Sequence, residues 1–350
     1  MTADVFGDIV TLGTASVDSD PSTPAIDVLR KLYLMKQDTD GNLIWQTLID
    51  YPGEGGSPYE VTSDIQGNLY AVGDGFVLKT DRYGQVLWQD SFEGLVLSVT
   101  VTRDRVYVPG KITRIYDLNG NLQLTIDNGD IYPWEVKVAA NGDIIQATWN
   151  AITRHDSLGN LVWSAPAPDD VTAVAKIQLD GAENVYVSYL SNAGDSSGNT
   201  AAARVVRVNS DGSTAWNRFI PDRRRSSNYF KGGNVHLHLT SNGDVLNITA
   251  GSKGRQITRI DPESGSVIWE KVHSGQGRAD DTFLDSADTL YVAGSSTPQK
   301  YDANGDLVIT GDMRSTNTTN SLALMDNLMI VGGVIYEDST FKFYTVAFDD

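Results

Sequence analysis

One short phrase recurs seven times along the chain and constrains the fold more than any other feature. It consists of a basic residue, any residue, an aspartate, two or three further residues, a glycine and, four positions later, a tryptophan. The first copy runs from Lys36 to Trp45, and the sixth ends at Trp269. A phrase repeated at this kind of spacing indicates stacked supersecondary units, none of which can bury its apolar face alone.

The glycines and tryptophans of the phrase are predicted to be structural. A glycine in a turn adopts a positive φ at little steric cost, and an aspartate there hydrogen-bonds the turn backbone. A tryptophan on the next strand can fill the wedge between neighbouring units, and its indole N–H then needs a carbonyl partner. The predicted structural residues are Gly41, Gly84, Gly120, Gly159, Gly212, Gly265, Gly305, Trp45, Trp88, Trp163, Trp216 and Trp269, with Leu124 and Ile309 at the tryptophan position of the third and seventh copies.

The stretch around the second copy is typical of four short strands. β-branched and aromatic residues alternate between Asn, Asp and Gly turns, and no segment has a sustained helical period. The predicted strands, called A to D in chain order, are Tyr59–Thr62, Leu69–Val72, Phe76–Thr80 and Gln85–Gln89. Four strands in each repeat predict an all-β fold, a β-propeller of four-stranded antiparallel sheets that forms a single domain over residues 1–350.

The two ends of the chain predict the number of blades. Thr2–Asp8 aligns with Thr62–Asn68, so the chain is expected to open at an A–B turn and to continue with strands B, C and D of blade 1. After the seventh phrase, Ser321–Met325, Leu328–Val331 and Phe341–Phe348 are predicted to be strands A, B and C of an eighth blade that lacks its outer strand. The alternative is seven blades, with Ser321–Met325 closing blade 1.

A basic residue stands two positions before the aspartate in five copies, and before Asn209 at the same place in a sixth. We expect each to form a local ion pair with that aspartate, worth about 0.5 kcal/mol if it is exposed. A ring of basic residues that binds an anion is the alternative. These residues are Lys36, Lys79, Arg154, Arg207, Arg259 and Lys300, whereas Arg114 lies three positions before Asp117.

The phrase resembles the tryptophan-docking motif of pyrroloquinoline-quinone-type (PQQ-like) propellers, Asp-x-x-x-Gly-x-x-x-Trp. Asp261 to Trp269 is the copy most similar to that motif, and the resemblance covers nearly the whole chain. It implies a motif that locks blade to blade without marking an active site. The quinone enzymes also carry a vicinal cysteine pair and a calcium site, whereas this chain has no cysteine. The resemblance is therefore to the non-catalytic branch, and it implies no cofactor and no enzymatic activity.

Composition excludes several other classes. A net charge of −18 and a pI of about 4.5 argue against binding to the nucleic-acid backbone. The lack of cysteine excludes disulfides and thiolate sites. No apolar run approaches the length of a membrane span, and the first residues do not form a secretory signal, so neither is expected.

No motif for catalysis stands out, and no catalytic, cofactor-binding or metal-binding residue is predicted. His236 and His238 share one face of a predicted strand, spaced as two metal ligands could be. We interpret them as packing residues, with metal binding as the alternative. Asn247 and Asn317 begin glycosylation sequons.

The loops divide into two classes by length. The A–B and C–D turns are short, and all long segments are B–C or D–A loops, which lie on the other face of a propeller. The long segments are residues 17–27, 191–200 and 335–340 between B and C, and 50–57, 127–133, 221–233, 273–278 and 312–319 between D and A. Long loops gathered on one face favour binding there, although the short-turn face could instead dock flat against a neighbour.

One D–A loop combines three arginines with two aromatic residues in an otherwise acidic chain. Arginine and tyrosine are enriched in interface hot spots. The candidate interaction residues are Arg223, Arg224, Arg225, Tyr229 and Phe230, with Tyr132, Tyr51 and Arg278 near the same rim. Trp134 is expected to begin a buried strand A.

These patterns favour a non-enzymatic structural or docking module that contacts other protein subunits. The preferred setting is a virion, as a tail, baseplate or capsid-decoration protein, and this is also the preferred localisation. A glycan receptor-binding module on the long-loop face and a bacterial envelope assembly scaffold are alternatives. An enzyme in the central funnel is a third, with no residues to name. Phe341–Phe348 is expected to form an apolar edge that invites a partner strand.

Overall fold

The structure is a computed structural model. It describes residues 1–18, 28–52, 57–191, 202–221, 234–251, 254–274, 279–294, 298–310, 318–325, 328–337 and 340–348. All regular elements in these ranges are β-strands, which form antiparallel sheets. By their contacts the residues form two compact units, Met1–Val136 and Lys137–Asp350. That residues 1–350 form a single domain therefore stays a prediction.

The first unit contains three sheets of four strands each. In the first sheet the strands are β1 (Thr2–Ala3), β2 (Ile9–Asp18), β3 (Val28–Gln37) and β4 (Leu43–Asp50). In the second they are β5 (Pro58–Ser63), β6 (Leu69–Gly73), β7 (Phe76–Thr80) and β8 (Val86–Ser91). In the third they are β9 (Thr100–Val101), β10 (Arg105–Val108), β11 (Ile112–Asp117) and β12 (Leu122–Asp127).

The second unit contains five further sheets, and the division between the units falls within β13. The fourth sheet is β13 (Val136–Val138), β14 (Ile144–Ala147), β15 (Ala151–His155) and β16 (Leu161–Pro166). The fifth is β17 (Val171–Leu179), β18 (Val185–Ser191), β19 (Ala202–Val208) and β20 (Thr214–Ile220), and the sixth is β21 (Asn234–Leu239), β22 (Val245–Gly251), β23 (Gly254–Ile260) and β24 (Val267–Ser274). The seventh is β25 (Asp281–Leu284), β26 (Leu290–Ala293), β27 (Gln299–Tyr301) and β28 (Leu307–Thr310), and the eighth is β29 (Thr318–Met325), β30 (Leu328–Glu337) and β31 (Thr340–Phe348).

Seven successive sheets with the strand order A-B-C-D and an eighth with strands A, B and C form the blades of an eight-bladed β-propeller. β29 pairs with β30 and not with a strand of the first sheet, so the eight-blade prediction is confirmed and the seven-blade alternative is wrong. The eighth sheet contains strands A, B and C among its described residues, as predicted.

Three predicted boundaries were wrong. The chain does not open at a turn, because Thr2 and Ala3 pair with Val10 and Ile9 and supply strand A of blade 1. Two B–C hairpins are also longer than predicted: β2 continues to Asp18, and β30 continues to Glu337. Continued ladder pairing extends both strands into segments whose composition indicated loops.

The apolar core lies in layers between successive sheets. Val10 and Leu32 of the first sheet pack with Leu69 and Phe76 of the second, and all four are buried. Equivalent layers lie between the second and third, fourth and fifth, fifth and sixth, and sixth and seventh sheets. Each sheet therefore buries its apolar residues against a neighbour. This is typical of repeat proteins, whose stability depends on the interfaces between adjacent repeats.

The tryptophan of one strand D docks on the C–D turn of the next sheet. The Trp45 indole donates a hydrogen bond to the carbonyl oxygen of Arg82 at 3.0 Å, and a Cβ placed on Gly84 would lie 2.9 Å from its ring. Gly84 has a φ of +85°. The turn thus requires glycine both for its backbone conformation and for the close approach of the indole.

The same dock recurs along the chain. A Cβ on the turn glycine would lie within 3 Å of the docked ring in the pairs Trp88–Gly120, Trp163–Gly212, Trp216–Gly265 and Trp269–Gly305. The predicted carbonyl partner of the indole is confirmed for Trp88, Trp163 and Trp216, which donate to Leu118, Ser210 and Pro262.

A β-bulge precedes the docking residue in every sheet that has a strand D. In the first sheet Gln37 faces Leu43 and Lys36 faces Trp45, so Ile44 is the extra residue. The register shifts at the equivalent place in the six sheets that follow. A bulge bends and twists an edge strand, which discourages edge-to-edge pairing. Leu43 and Ile44 stay exposed beside it.

Two glycine substitutions separate the cost of backbone strain from the cost of blocking the dock. Gly41 has a φ of +81°, nearly that of Gly84, but a Cβ there meets no atom within 4 Å. We expect Gly41→Ala to lower the free energy of unfolding by about 1 kcal/mol, the cost of a left-handed alanine. Gly84→Ala should cost roughly 1–3 kcal/mol more, because its Cβ overlaps the indole. Urea denaturation measures both, and equal losses would contradict the dock.

Candidate interaction surface

Four of the basic residues of the phrase, Lys36, Lys79, Arg154 and Arg207, are buried and pair with turns. The Lys36 ammonium lies 2.6 Å from Asp4 and 2.8 Å from Asp8, and Lys36 is only 5% exposed. Burial lowers its pKa, but the hydrogen bonds to both carboxylates outweigh burial and leave the pKa raised. The expected weak pair with Asp38 is wrong, because Asp38 accepts hydrogen bonds from Asn42 instead.

The second unit repeats this arrangement with arginines. Arg154 donates to Asp143 at 2.7 Å and to Glu183 at 2.5 Å, which joins the A–B turns of the fourth and fifth sheets. Arg207 pairs with Glu263, and Arg259 pairs with Asp244. In the first unit, Lys79 donates to the carbonyl oxygen of Leu118. These cations bind turns of their own and neighbouring sheets, so the arrangement does not favour an anion-binding ring.

The two histidines on β21 connect inner strands. His236 Nε2 lies 3.1 Å from the carbonyl oxygen of Ala279, and His238 Nε2 lies 2.8 Å from Thr282 Oγ1. Burial lowers the pKa of His236 to about 4, with Lys176 acting in the same direction and Asp281 opposing it. This geometry agrees with packing residues. Among the described residues no cluster of three or more His, Cys, Asp or Glu could hold a metal ion.

The first sequon asparagine, Asn247, is not accessible for glycosylation in the folded protein. It lies on β22, fully buried, and accepts a hydrogen bond from Ser188 Oγ at 2.7 Å. A glycan cannot be attached to this side chain in the folded protein. The second sequon residue, Asn317, lies outside the described residues.

The rim residues predicted from sequence are in part structural. The Tyr51 hydroxyl lies 3.1 Å from Thr14 Oγ1, and its ring packs edge-on against Phe76 at 5.8 Å. Tyr132 is partly buried, with the Lys111 ammonium 5.6 Å from its ring. Arg223, Arg224, Arg225, Tyr229, Phe230 and Arg278 lie outside the described residues, and their role stays a prediction.

Trp134 does not begin a strand, contrary to expectation. β13 starts at Val136, and Trp134 lies before it with its side chain partly buried. The carbonyl oxygen of Trp134 accepts a hydrogen bond from Ser98 Oγ at 2.7 Å. The backbone carbonyl of Trp134 is thus hydrogen-bonded by a side chain and not by a neighbouring strand.

The short turns of the first two sheets carry a solvent-exposed cluster that we call the short-turn patch. It consists of Phe6, Arg82 and Tyr83, and the two aromatic side chains are 55% and 64% exposed. The Arg82 guanidinium lies 5.1 Å from the centre of the Phe6 ring and 4.9 Å from that of Tyr83. Arg82 forms no ion pair with any described residue, so its charge is available to a ligand.

Turn chemistry places both of these aromatic residues. Asp4 Oδ1 accepts a hydrogen bond from the backbone N–H of Phe6, and Asp81 Oδ1 accepts one from that of Tyr83, both at 2.9 Å. Phe6 and Tyr83 therefore occupy the same position of two equivalent turns. Sequence reasoning missed the patch because it interpreted these turns as polar links. An aromatic residue two positions after the turn aspartate was the available signal.

The patch suits recognition of another protein. An arginine held between two aromatic rings makes cation–π contacts and keeps its donors free for a carboxylate. Aromatic residues and arginine dominate interface hot spots. The arrangement can bind a surface that places an acidic group beside apolar side chains.

A second candidate is a cleft of about 590 Å³ in the second unit, lined in part by Pro166, Asp170, Arg204 and Asn217. Arg204 Nε lies 2.6 Å from Asp170 Oδ1, and Arg204 also donates to Asn217. Burial raises the pKa of Asp170, but hydrogen bonds from Ser191 and Arg204 outweigh it and leave the pKa lowered. The polar groups of this cleft are thus engaged with one another, which favours the short-turn patch as the contact surface.

No element of the described chain is a helix that could cross a membrane.

The repeated docks, buried basic residues and eight sheets define a PQQ-like β-propeller. The sequence model of a family described as outer membrane protein assembly factor BamB matches residues 33–303, which is most of the chain. The protein therefore belongs to this BamB-type family of PQQ-like propellers. No curated protein matches the sequence.

Solved structures support the same fold. BamB from Moraxella catarrhalis has a TM-score of 0.59 at 12% identity, and the match covers 92% of this chain and 96% of that one. Dihydro-heme d1 dehydrogenase NirN has a TM-score of 0.62 at 12% identity, covering 96% of this chain and 73% of that one. The Dos1 propeller has a TM-score of 0.58 at 11% identity, covering 81% of each chain. At these identities the similarity shows the fold alone.

Removing one buried cation tests the turn pairs. We expect Arg154→Met to lower the free energy of unfolding by about 3 kcal/mol, because Asp143 and Glu183 lose their common partner. Lys111→Met is the matched control, since its pair with Asp130 is exposed and should contribute below about 0.5 kcal/mol. Urea denaturation of both variants measures the difference. Similar losses would show that the Arg154 pairs contribute no more than a surface contact.

His236 should make stability depend on pH. Its pKa is about 4 in the folded protein and 6.5 ordinarily, so the unfolded chain takes up the proton first as the pH falls. Stability is then lost between pH 6.5 and 4, by about 3 kcal/mol at the lower end. His236→Gln keeps a side-chain donor for Ala279 and should lack this component. Denaturation curves of both proteins from pH 7 to 4 measure it, and parallel pH profiles would contradict the buried neutral histidine.

Proposed function

We propose that this protein is a non-enzymatic scaffold that binds other proteins, and that the short-turn patch is a contact surface. The exposed arginine between Phe6 and Tyr83 is the observation that carries the proposal. A buried salt bridge or a core role would explain a paired arginine, but Arg82 is exposed and has no ionic partner among the described residues. Membership of a family described as an assembly factor supports a partner that is a protein.

Four ionisable side chains in the described interior support a structural role over catalysis. Lys36 and Arg154 bind turn carboxylates, and His236 and His238 hydrogen-bond neighbouring strands. A catalytic base needs access to a substrate proton, which a group occupied in this way lacks. Two structural neighbours carry names that refer to enzymes, a dehydrogenase and a putative 6-phosphogluconolactonase, and both share only the fold with this chain.

The partner surface is defined by charge and shape. The chain carries a net charge of −18, so an acidic partner would be repelled by most of its surface. The short-turn patch is a local exception, where a carboxylate could reach Arg82 while apolar groups cover Phe6 and Tyr83. Such a contact gives orientation as well as affinity, because repulsion elsewhere disfavours other approaches.

The setting we favour is the assembly of a larger protein complex. The family description supports an assembly scaffold in a bacterial envelope. A virion, as a tail, baseplate or capsid-decoration protein, was the setting preferred from the residue composition alone, and it is our second proposed setting. Fractionation of source cells and particles, with detection of the protein in each, separates the two.

Site-specific photocrosslinking tests the contact surface. A photoreactive phenylalanine at Tyr83 should form an adduct with one protein in source material, whereas the same group at the exposed Trp149 should not. The purified partner should then bind at least tenfold more weakly to Arg82→Glu, with an unchanged melting temperature. The proposal fails if Arg82→Glu binds the partner normally, or if a glycan array shows Arg82-dependent sugar binding and no protein adduct forms.

A further inference from the structure

The first C–D turn is bare, whereas five other C–D turns are covered by an indole. Tryptophan rings lie against Gly84, Gly120, Gly212, Gly265 and Gly305. Around Gly41, a Cβ would meet no heavy atom of the described residues within 4 Å, and Gly41 is exposed whereas Gly84 is buried.

The bare turn is nevertheless built like the occupied ones. Gly41 N–H donates to the carbonyl oxygen of Asp38 at 3.1 Å, as Gly84 N–H does to that of Asp81. The carbonyl that accepts an indole N–H lies two positions before the glycine in the Trp45, Trp88 and Trp163 docks. By position, Thr39 offers the equivalent carbonyl. A complete docking platform therefore faces solvent.

The occupied turns also show what else an incoming strand provides. Two residues after its docking tryptophan, Arg218 Nε donates to the carbonyl oxygen of Gly265 at 2.5 Å. At the same position of the next strand D, Lys271 Nζ lies 2.7 Å from Asp306. By position, the acceptors equivalent to these in the first turn are the Gly41 carbonyl oxygen and the side chain of Asn42, and Asp40 adds an exposed carboxylate directly before Gly41.

We propose that the Gly41 turn binds an extended segment of a partner protein. In sequence order, this segment contains two apolar residues, a tryptophan, any residue and then a Lys or Arg. The chain itself docks a tryptophan at five equivalent turns, and at two of them a basic residue, Arg218 or Lys271, follows two positions after the tryptophan and contacts the same turn. A second copy is a poor source, because its strands D pair with their own strands C and its described docking tryptophans already cover its own turns. The inference extends the proposed function, although it depends on residues other than the short-turn patch.

The probe is a peptide with the sequence of residues 265–274, Gly-Ser-Val-Ile-Trp-Glu-Lys-Val-His-Ser. Titrated into ¹⁵N-labelled protein, it should shift the amide signals of residues 39–42 in a saturable manner. A peptide with Trp269→Ala should bind about tenfold more weakly or worse, which is the loss expected from removing a stacked, hydrogen-bonded indole.

Two matched protein variants locate the peptide. Gly41→Asn places a side chain on the platform, and asparagine tolerates a positive φ. It should weaken binding at least tenfold. Gly243→Asn is the control, because Gly243 has a φ of +89°, has no neighbouring atom within 4 Å and lies in an A–B turn. It should bind the peptide as the wild type does.

Three results would overturn the inference. They are unshifted amides at residues 39–42, equal binding of the Trp269→Ala peptide, and a dimer in light scattering that Gly41→Asn converts to a monomer, which would assign the turn to a second copy. Arg82→Glu should leave peptide binding unchanged. If the peptide fails while the photocrosslinked partner still requires Arg82, this inference fails and the proposed function stands.

Discussion

The structure depends on an indole lying flat against a glycine turn of the next sheet. The contact requires glycine for two reasons. The turn backbone adopts a positive φ, and the ring occupies space that any Cβ would fill. The indole N–H is satisfied by a carbonyl of the same turn, so burying the ring leaves no polar group unpaired. Four short strands are marginal alone, and the dock adds large apolar contacts between neighbouring sheets.

Buried cations provide a second connection between turns. Lys36 and Arg154 each bind two carboxylates away from solvent. Replacing one such cation leaves the carboxylates uncompensated, which costs far more than losing an exposed ion pair. The phrase thus supplies a cation on strand C, a turn aspartate, a glycine and an indole within ten residues. Each of these groups is used in holding the turns together.

Sequence periodicity predicted the strands, the blade count and the turn glycines, because all of these depend on local pattern. The partners of Lys36 and Arg154 were not predictable in this way, since Asp4 and Glu183 lie about thirty residues distant along the chain. The patch around Arg82 was missed for a similar reason. Phe6 and Tyr83 come together only when two sheets stack, and each looks like an ordinary turn residue in its own repeat.

The central claim is that indole and glycine act as one unit, and a double-mutant cycle between Trp45 and Gly84 tests it most directly. The cycle compares unfolding free energies of Trp45→Leu, Gly84→Ala and the double variant with that of the wild type. The account predicts a coupling of at least about 1 kcal/mol, because leucine removes the ring with which the new methyl collides. Strictly additive losses would contradict it and would show that the two residues stabilise the fold independently.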